Sequence, residues 1–269
     1  MQLNSENYFS PEAMHEYMSV SQFKAFDRCQ AAAMAELTGE WTPEPKEAFN
    51  EGKMFEALIC GEEEIFFMEH PEVISSQGKT KGNVKANYLN IMNAAEAFKR
   101  QKEFAKIVAH SQKQVIVTGI ICGVKYKGCI DFYNPETGDC WDSKCMKDFK
   151  GVYSAEEGRM LHWWEVYGYH WQAAIYRELC RQTFGKTGRF GLVAATKEPV
   201  PDVAWLEFEN GFLDNALDII IELSPVYQAI KDGLIDPEAC GKCAYCKTHK
   251  QLCKPEKIGE YMEEENKNA

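Results

Sequence analysis

The sequence predicts an α/β chain of the α+β type, with a mixed central β-sheet flanked by helices. Short apolar segments bounded by Gly, Pro, Asn and Asp are typical of strands. Longer amphipathic segments, which are typical of helices, lie before and between them. The resulting order is α-α-β-β-β-α-β-β-α, which favours one sheet with helices packed on it. The predicted strands cover about 114–121, 124–133, 139–144, 190–196 and 203–208.

The predicted helices have start and stop signals. Ser19 or Ser21 can cap a helix that ends at Gly39. Glycines and prolines bound the others, whereas 62–74 is ambiguous and its Phe-Phe-Met run suggests a strand. Further helices are expected over about 46–60, 85–110, 161–183 and 211–231.

Composition limits the class of protein. With 269 residues, 45% hydrophobic and 12% aromatic, the chain can bury a full core. No apolar run reaches the roughly 18–20 residues that span a bilayer, and no basic region followed by an apolar stretch opens the chain. We therefore expect a cytoplasmic protein without a membrane partner.

The charge pattern constrains the mode of nucleic-acid binding. A net charge of −11 argues against coating of nucleic acid by bulk electrostatics, but it leaves room for a basic groove. Basic runs occur at 79–85, 99–106 and 144–150. The run 144–150 is the best candidate for contact with phosphates, because it follows Asp131 and Asp142, which can hold a metal ion.

Two acids and a lysine lie on a predicted hairpin. Asp131 ends an apolar run, turn formers follow, and Asp142 and Lys144 come two apart on the next strand, where they share a face. A matching register would bring Asp131 beside them. Such a group can hold a hard divalent cation, Mg²⁺ or Mn²⁺, and activate a water. The alternative is a surface hairpin with solvated charges.

The cysteines fall into two groups. Eleven cysteines in a chain expected to be cytoplasmic argue against a disulfide framework. Cys240, Cys243, Cys246 and Cys253 cluster near the end, with a spacing that is not that of a zinc ribbon. We predict a core over 1–239 with an N-terminal helical part, and a cysteine-rich segment over 240–269 that packs on it and carries a flexible acidic tail.

An Asp, a turn and Asp-x-Lys, followed by Gln172 and Tyr176 in a Gln-x-x-x-Tyr pattern, resemble the PD-(D/E)XK nuclease superfamily. Over nearly its whole length the chain is similar to the RecE-like and Cas4-like branch, and within it to the phage exodeoxyribonuclease VIII group. The resemblance implies a restriction-endonuclease-like core and a Mg-dependent DNA exonuclease of phage-type recombination or repair. Linear duplex DNA would be the substrate. A single-strand annealing protein and further copies of the chain are the other implied partners.

The resemblance also assigns roles to residues. It implies that Asp131, Asp142, Lys144, Gln172 and Tyr176 are catalytic. It further implies that Asp131, Asp142 and the backbone carbonyl of Ser143 hold the metal. Relatives add a ligand from an early helix after a Gly-x-x-His signature, and here Phe55 stands in the histidine's place. Glu56 is the adjacent candidate ligand, although it lies about 100° away around a helix.

For the cysteines the resemblance implies a [4Fe–4S] cluster. In relatives a cysteine near the N-terminus, here Cys29, joins three near the C-terminus. Zinc and free thiols are the alternatives, and one of Cys246 and Cys253 would be spare. Two other functions stay open: a catalytically weak DNA-binding relative, favoured by Phe55, and an unrelated metal-binding interaction module.

Overall fold

The structure is a computed structural model that describes residues 2–43, 47–155, 157–251, 255 and 257–259. Cys253 and the predicted acidic tail past residue 259 lie outside the described residues. The helices are α1 Pro11–Glu16, α2 Val20–Arg28, α3 Gln30–Thr38, α4 Glu47–Cys60, α5 Glu63–Glu69, α6 Leu89–Lys99, α7 Lys102–His110, α8 Trp163–Val166, α9 Tyr169–Phe184, α10 Asn210–Lys231 and α11 Ala244–Thr248. The strands are β1 Met18–Ser19, β2 Gln112–Ile121, β3 Val124–Tyr133, β4 Cys140–Met146, β5 Val152–Ser154, β6 Arg159–Leu161, β7 Phe190–Thr196 and β8 Val203–Glu207.

The predicted mixed central sheet is confirmed. Six strands of the described chain form it in the order β1-β3-β4-β7-β8, and β2 pairs with β3. β1 pairs with β3 and β4 with β7 in parallel, whereas the β2–β3, β3–β4 and β7–β8 pairs are antiparallel. β5 and β6 form a separate two-stranded hairpin.

Helices cover both faces of the sheet, so each face has its own hydrophobic core. On one face, apolar residues of α2, α9 and α10 pack against β2 and β3. On the other, residues of α4, α6 and α7 pack against β3, β4 and β7. The central strand β7 is buried along its whole length, as expected for a strand covered on both sides.

Several predicted elements differ in detail. Within the segment 62–74, Glu63–Glu69 form helix α5 and not a strand, because Glu63 and Glu64 favour a helix N-terminus and Phe66 alone of the Phe-Phe-Met run is buried. The predicted helix 85–110 is two helices, α6 and α7. The first long helix divides at Cys29, whose backbone is extended, into α2 and α3. As predicted, the helix ends at Gly39, which adopts the left-handed conformation.

The segment 161–183 also divides. It begins in strand β6, forms the short helix α8, and restarts as α9 after Gly168, which has a φ of 60°. The β5–β6 hairpin and the short strand β1 were not predicted, because three-residue and two-residue strands carry too little pattern. No helix of the described residues is both long and apolar enough to cross a membrane.

Candidate active site

The candidate site lies where β3 and β4 separate. These strands pair only at Phe132–Trp141 and Tyr133–Cys140. One more step of this register would place Asp131 opposite Asp142. Instead, the Asp131 carboxylate accepts hydrogen bonds from the backbone N–H of Ser143 at 2.7 Å and from its hydroxyl at 2.8 Å. The side chain of Asp131 thus takes the place of the next backbone hydrogen bonds between β3 and β4, and a gap opens between the two strands.

Asp142 stands at the edge of this gap and is only 8% exposed. Its Oδ2 is paired with the ammonium of Lys144. Its Oδ1 accepts a 2.7 Å hydrogen bond from Nε2 of Gln172, on the first turn of α9. The structure therefore brings three of the predicted catalytic residues into direct contact.

Tyr176, one turn further along α9, packs over β3 and lines a small cavity together with Asp142 and Gln172. A Cβ added to Gly128 would lie 2.6 Å from its ring, so the glycine allows the close approach. Tyr176 is buried, and burial raises its pKa well above the usual value. Its position helps to set the distance between α9 and the sheet.

Glu56 reaches the same gap from α4. The side-chain amide of Gln114 donates to Glu56 Oε1 and, at 3.2 Å, to Asp131 Oδ1. Phe55 points away from the site and packs in the second core, edge-on to Phe98. On this helix the residue that faces the candidate site is therefore 56, and the phenylalanine at 55 is a core residue.

A second lysine lies nearby. The ammonium groups of Lys24, from α2, and Lys144 sit 5.1 and 4.9 Å from the ring centre of Tyr169. Both distances are within the range of cation–π attraction. Two lysines on one aromatic ring beside Asp142 give the gap a basic edge, which suits a phosphate.

The sequence profile of the family described as "PDDEXK-like domain of unknown function (DUF3799)" matches residues 19–249. The chain belongs to this family. A crystal structure at 2.19 Å of a protein described as "Putative exonuclease", from Eubacterium rectale, is also similar. It has a TM-score of 0.88 and 32% identity, over 97% of this chain and 98% of that chain.

A second solved structure, SSO0001, is 16% identical over 87% of this chain and 96% of that chain, with a TM-score of 0.34, which does not indicate a shared fold. None of the curated proteins matches the chain. The family and the E. rectale structure confirm the resemblance to PD-(D/E)XK proteins and support a nuclease-type function.

Burial shifts the pKa values of the ionisable side chains at the candidate site of this PDDEXK-like domain. Burial raises the pKa of Asp142 to about 6, and Asp131 adds to the shift while Lys144 opposes it. Burial, with Asp131 and Asp142 nearby, raises the pKa of Glu56 to about 7. Burial would lower the pKa of Lys144, but the neighbouring Asp142 outweighs it and raises that pKa. Two carboxyls with raised pKa values lack full charge compensation.

The donor set of the PDDEXK-like domain fits a hard divalent cation. Its acids Glu56, Asp131 and Asp142 offer only oxygen ligands, which Mg²⁺ and Mn²⁺ prefer. Asp142 Oδ2 is buried and accepts no hydrogen bond within the described residues, Lys144 being its ion-pair partner. The oxygens of the three acids do not all lie within 4.8 Å of one another. Gln114 donates to oxygens of Glu56 and Asp131, and Lys144 pairs with an oxygen of Asp142.

Cysteines from the two ends of the domain form a second group of potential metal ligands. The sulfurs of Cys29, Cys240, Cys243 and Cys246 all lie within 4.8 Å of one another. Among the described residues this is the one cluster of three or more potential metal ligands with such close atoms. The structure thus brings together four of the five predicted cysteines, and Cys253 lies outside the described residues.

Sequence reasoning missed Gln114, Lys24 and Tyr169. Gln114 could have been found, since it stands opposite Asp131 in the register of the neighbouring pairs of β2 and β3. Lys24 and Tyr169 give no local signal, because they approach the site from helices that are far apart in sequence. Only the packing of α2 against α9 brings them together.

Proposed function

We propose that this PDDEXK-like domain is a metal-dependent DNA nuclease that acts as an exonuclease. The observation that carries the proposal is the contact of Asp142 with Lys144 and Gln172 at the gap beside Asp131. An Asp-x-Lys surface hairpin with solvated charges would not have a buried second carboxylate. Nor would it have a helix aimed at that carboxylate.

In this proposal Glu56, Asp131, Asp142 and the backbone carbonyl of Ser143 hold Mg²⁺ or Mn²⁺. A bound divalent cation lowers the pKa of a water and offsets negative charge on a phosphate. Lys144, which now pairs with Oδ2 of Asp142, would release this oxygen to the ion, and Gln114 would orient the carboxylates of Glu56 and Asp131.

The chain's own residues have distinct tasks. Lys144 orients the attacking water or stabilises the charge that develops on the phosphate oxygens. Gln172 holds Asp142 in one orientation through its 2.7 Å hydrogen bond. Lys24 supplies a second positive charge at the edge of the gap, and the exposed Lys147 and Lys150 continue it along the run that follows Lys144.

The finer assignment rests on similarity. The exonuclease activity is supported by the description of the E. rectale protein, and a substrate of linear duplex DNA and a role in phage-type recombination are supported by the family resemblance. A single-strand annealing partner and assembly of several copies belong to the same proposal. The catalytically weak alternative loses its main support, because residue 55 is in the core and Glu56 faces the site.

The test uses end-labelled linear duplex DNA and covalently closed circular duplex DNA, each with Mg²⁺ or with EDTA. Wild type is compared with Asp142→Asn and Lys144→Met, and with Lys102→Met, at the exposed start of α7, as a matched surface control. We expect Mg²⁺-dependent loss of the linear DNA alone, abolished in the first two variants and unchanged in the control.

The other outcomes separate the alternatives. Cleavage of the circular DNA would replace exonuclease by endonuclease action. DNA binding without cleavage by the wild type would identify a non-catalytic DNA-binding domain. A wild type that neither binds nor cleaves DNA would overturn the proposal.

A further inference from the structure

The cluster of Cys29, Cys240, Cys243 and Cys246 does not have the dimensions that the family resemblance implies. The Sγ atoms of Cys29 and Cys246 are 3.6 Å apart, and those of Cys240 and Cys246 are 3.9 Å apart. All four lie within 4.8 Å of one another.

These distances match one tetrahedral ion. Four sulfurs at about 2.3 Å from a single Zn²⁺ stand at the corners of a tetrahedron with edges of about 3.8 Å. In a [4Fe–4S] cluster each cysteine binds a different iron, so the sulfurs surround a cube of atoms and lie farther apart than the ligands of one ion. The observed group of sulfurs has no room for such a cube.

The backbone around the sulfurs is also arranged for thiolates. The N–H groups of Cys243 and Cys246 point at the sulfurs of Cys240 and Cys243, at 3.4 and 3.5 Å. The N–H of Cys240 points at the sulfur of Cys29 at 3.5 Å. Hydrogen bonds of this kind orient ligands and stabilise their negative charge. Gly241 makes the turn between Cys240 and Cys243 with a φ of 73°.

We infer that Cys29, Cys240, Cys243 and Cys246 form a structural tetrathiolate site for a single Zn²⁺ ion and not a site for an iron–sulfur cluster. The set of four is complete without Cys253. All positions are filled by protein, which is the pattern of a structural site and not of a catalytic one. The ion connects the break between α2 and α3 to α11 and to the segment that precedes it.

The experiment measures metal content directly. The full chain is produced in medium that contains both iron and zinc, purified without oxygen, and analysed for zinc, iron and acid-labile sulfide per chain. We expect one zinc ion per chain, with neither iron nor labile sulfide. Iron with an equal amount of labile sulfide would overturn the inference, as would a metal-free protein with four reactive thiols at these positions.

A variant pair locates the ion. Cys246→Ser should lose the zinc, and Cys122→Ser, at an exposed cysteine outside the cluster, should keep it. Zinc retained by a folded Cys246→Ser variant would contradict the assignment.

Cobalt provides a readout that does not depend on the folding of that variant. Wild type produced with Co²⁺ should show the intense bands of tetrahedral cobalt bound to thiolates, whereas an oxygen-ligand site gives only weak absorption. A purely weak spectrum with bound cobalt would overturn the inference. None of these measurements involves DNA cleavage, so they do not depend on the proposed nuclease activity.

Discussion

Nε2 of Gln114 lies 3.2 Å from Oδ1 of Asp131 and also donates to Glu56, so one amide joins carboxylates from a strand and from a distant helix. Gln114 has a φ of 52°, a left-handed conformation that is uncommon for a residue other than glycine. The β2–β3 ladder omits the Gln114–Asp131 pair while it keeps the pairs on either side. Strain of this kind persists where the surroundings impose it, often at functional sites.

Gln114→Ala should therefore lower the affinity of the site for Mg²⁺. The two carboxylates lose their common donor, and we expect the Mg²⁺ concentration needed for half-maximal cleavage to rise by about 10–100-fold, as for other residues that orient ligands. The measurement is cleavage of linear DNA against Mg²⁺ concentration. Gln112→Ala, at the exposed start of the same strand, is the control and should resemble wild type. An unchanged Mg²⁺ dependence in Gln114→Ala would show that the bridge has no role in metal binding.

Glu56→Gln should change stability in a pH-dependent way. Because the pKa of Glu56 is raised to about 7, the folded state binds more protons than the unfolded state between about pH 4.5 and 7, and wild-type stability falls as pH rises through this window. Without metal, the variant should exceed wild type by on the order of 1 kcal/mol above pH 7, and the gap should close below about pH 4.5.

Thermal unfolding in EDTA at pH 4.5 and pH 8 measures this effect. Adding Mg²⁺ at pH 8 should stabilise wild type more than the variant, since only wild type retains the full set of carboxylates. A variant less stable than wild type at pH 8 in EDTA would contradict the burial argument.

Lys24 should make DNA binding depend on pH. Burial, followed by repulsion from Lys144, lowers the pKa of Lys24 to about 7, so its charge is present below pH 7 and lost above it. In EDTA, affinity for a short duplex should fall roughly tenfold between pH 6 and pH 8, the value of one charge-assisted hydrogen bond.

Lys24→Arg should make this dependence shallower, because arginine stays charged, and the ionisation of Glu56 over the same pH range remains. Lys147→Arg, at an exposed position of the basic run, should keep the wild-type profile. Fluorescence anisotropy of a labelled duplex measures the DNA affinity of each variant across this pH range. Equal pH profiles for wild type and Lys24→Arg would exclude Lys24 as a phosphate contact.

Two glycine substitutions should have opposite effects on stability. Gly128→Ala would place a methyl group against the buried ring of Tyr176, and we expect a loss of about 1–3 kcal/mol from overpacking. Gly52→Ala, inside α4 with no heavy atom within 4 Å of the new methyl, should gain about 0.5–1 kcal/mol. Urea unfolding of both variants measures the difference. A neutral Gly128→Ala would show that Tyr176 can move without cost.

The fold was largely predictable because its longer strands carry a strong local pattern. β3 and β7 were predicted over their observed residues, and the Cys122–Gly123 turn has the two positive φ values of a tight hairpin. In β3 the alternation of side chains between the two faces is interrupted at Asp131. Its neighbours Ile130 and Phe132, which would share a face of a regular strand, pack in opposite cores.

The site was predictable only in part. The order of Asp131, Asp142 and Lys144 along the chain is visible without a structure, and so is a glutamine four residues before a tyrosine. The choice between residues 55 and 56 depends on the rotation of α4 about its axis, which Phe55 settles by packing against Phe98. Rotation of this kind is set by tertiary packing and not by local sequence.

The cysteine cluster brings distant parts of the chain together. The N–H of Ala31 donates to the carbonyl of Glu238 at 2.9 Å, and Cys29 contacts Cys246 across 217 residues of sequence. During synthesis the start of α3 therefore lacks its contacts with Glu238 and Cys246 until those residues are made, and a ribosome adds roughly 5–20 residues per second. The first helices of this protein would leave the ribosome ten seconds or more, in order of magnitude, before the residues that complete their packing. In that interval they are exposed to chaperones and proteases.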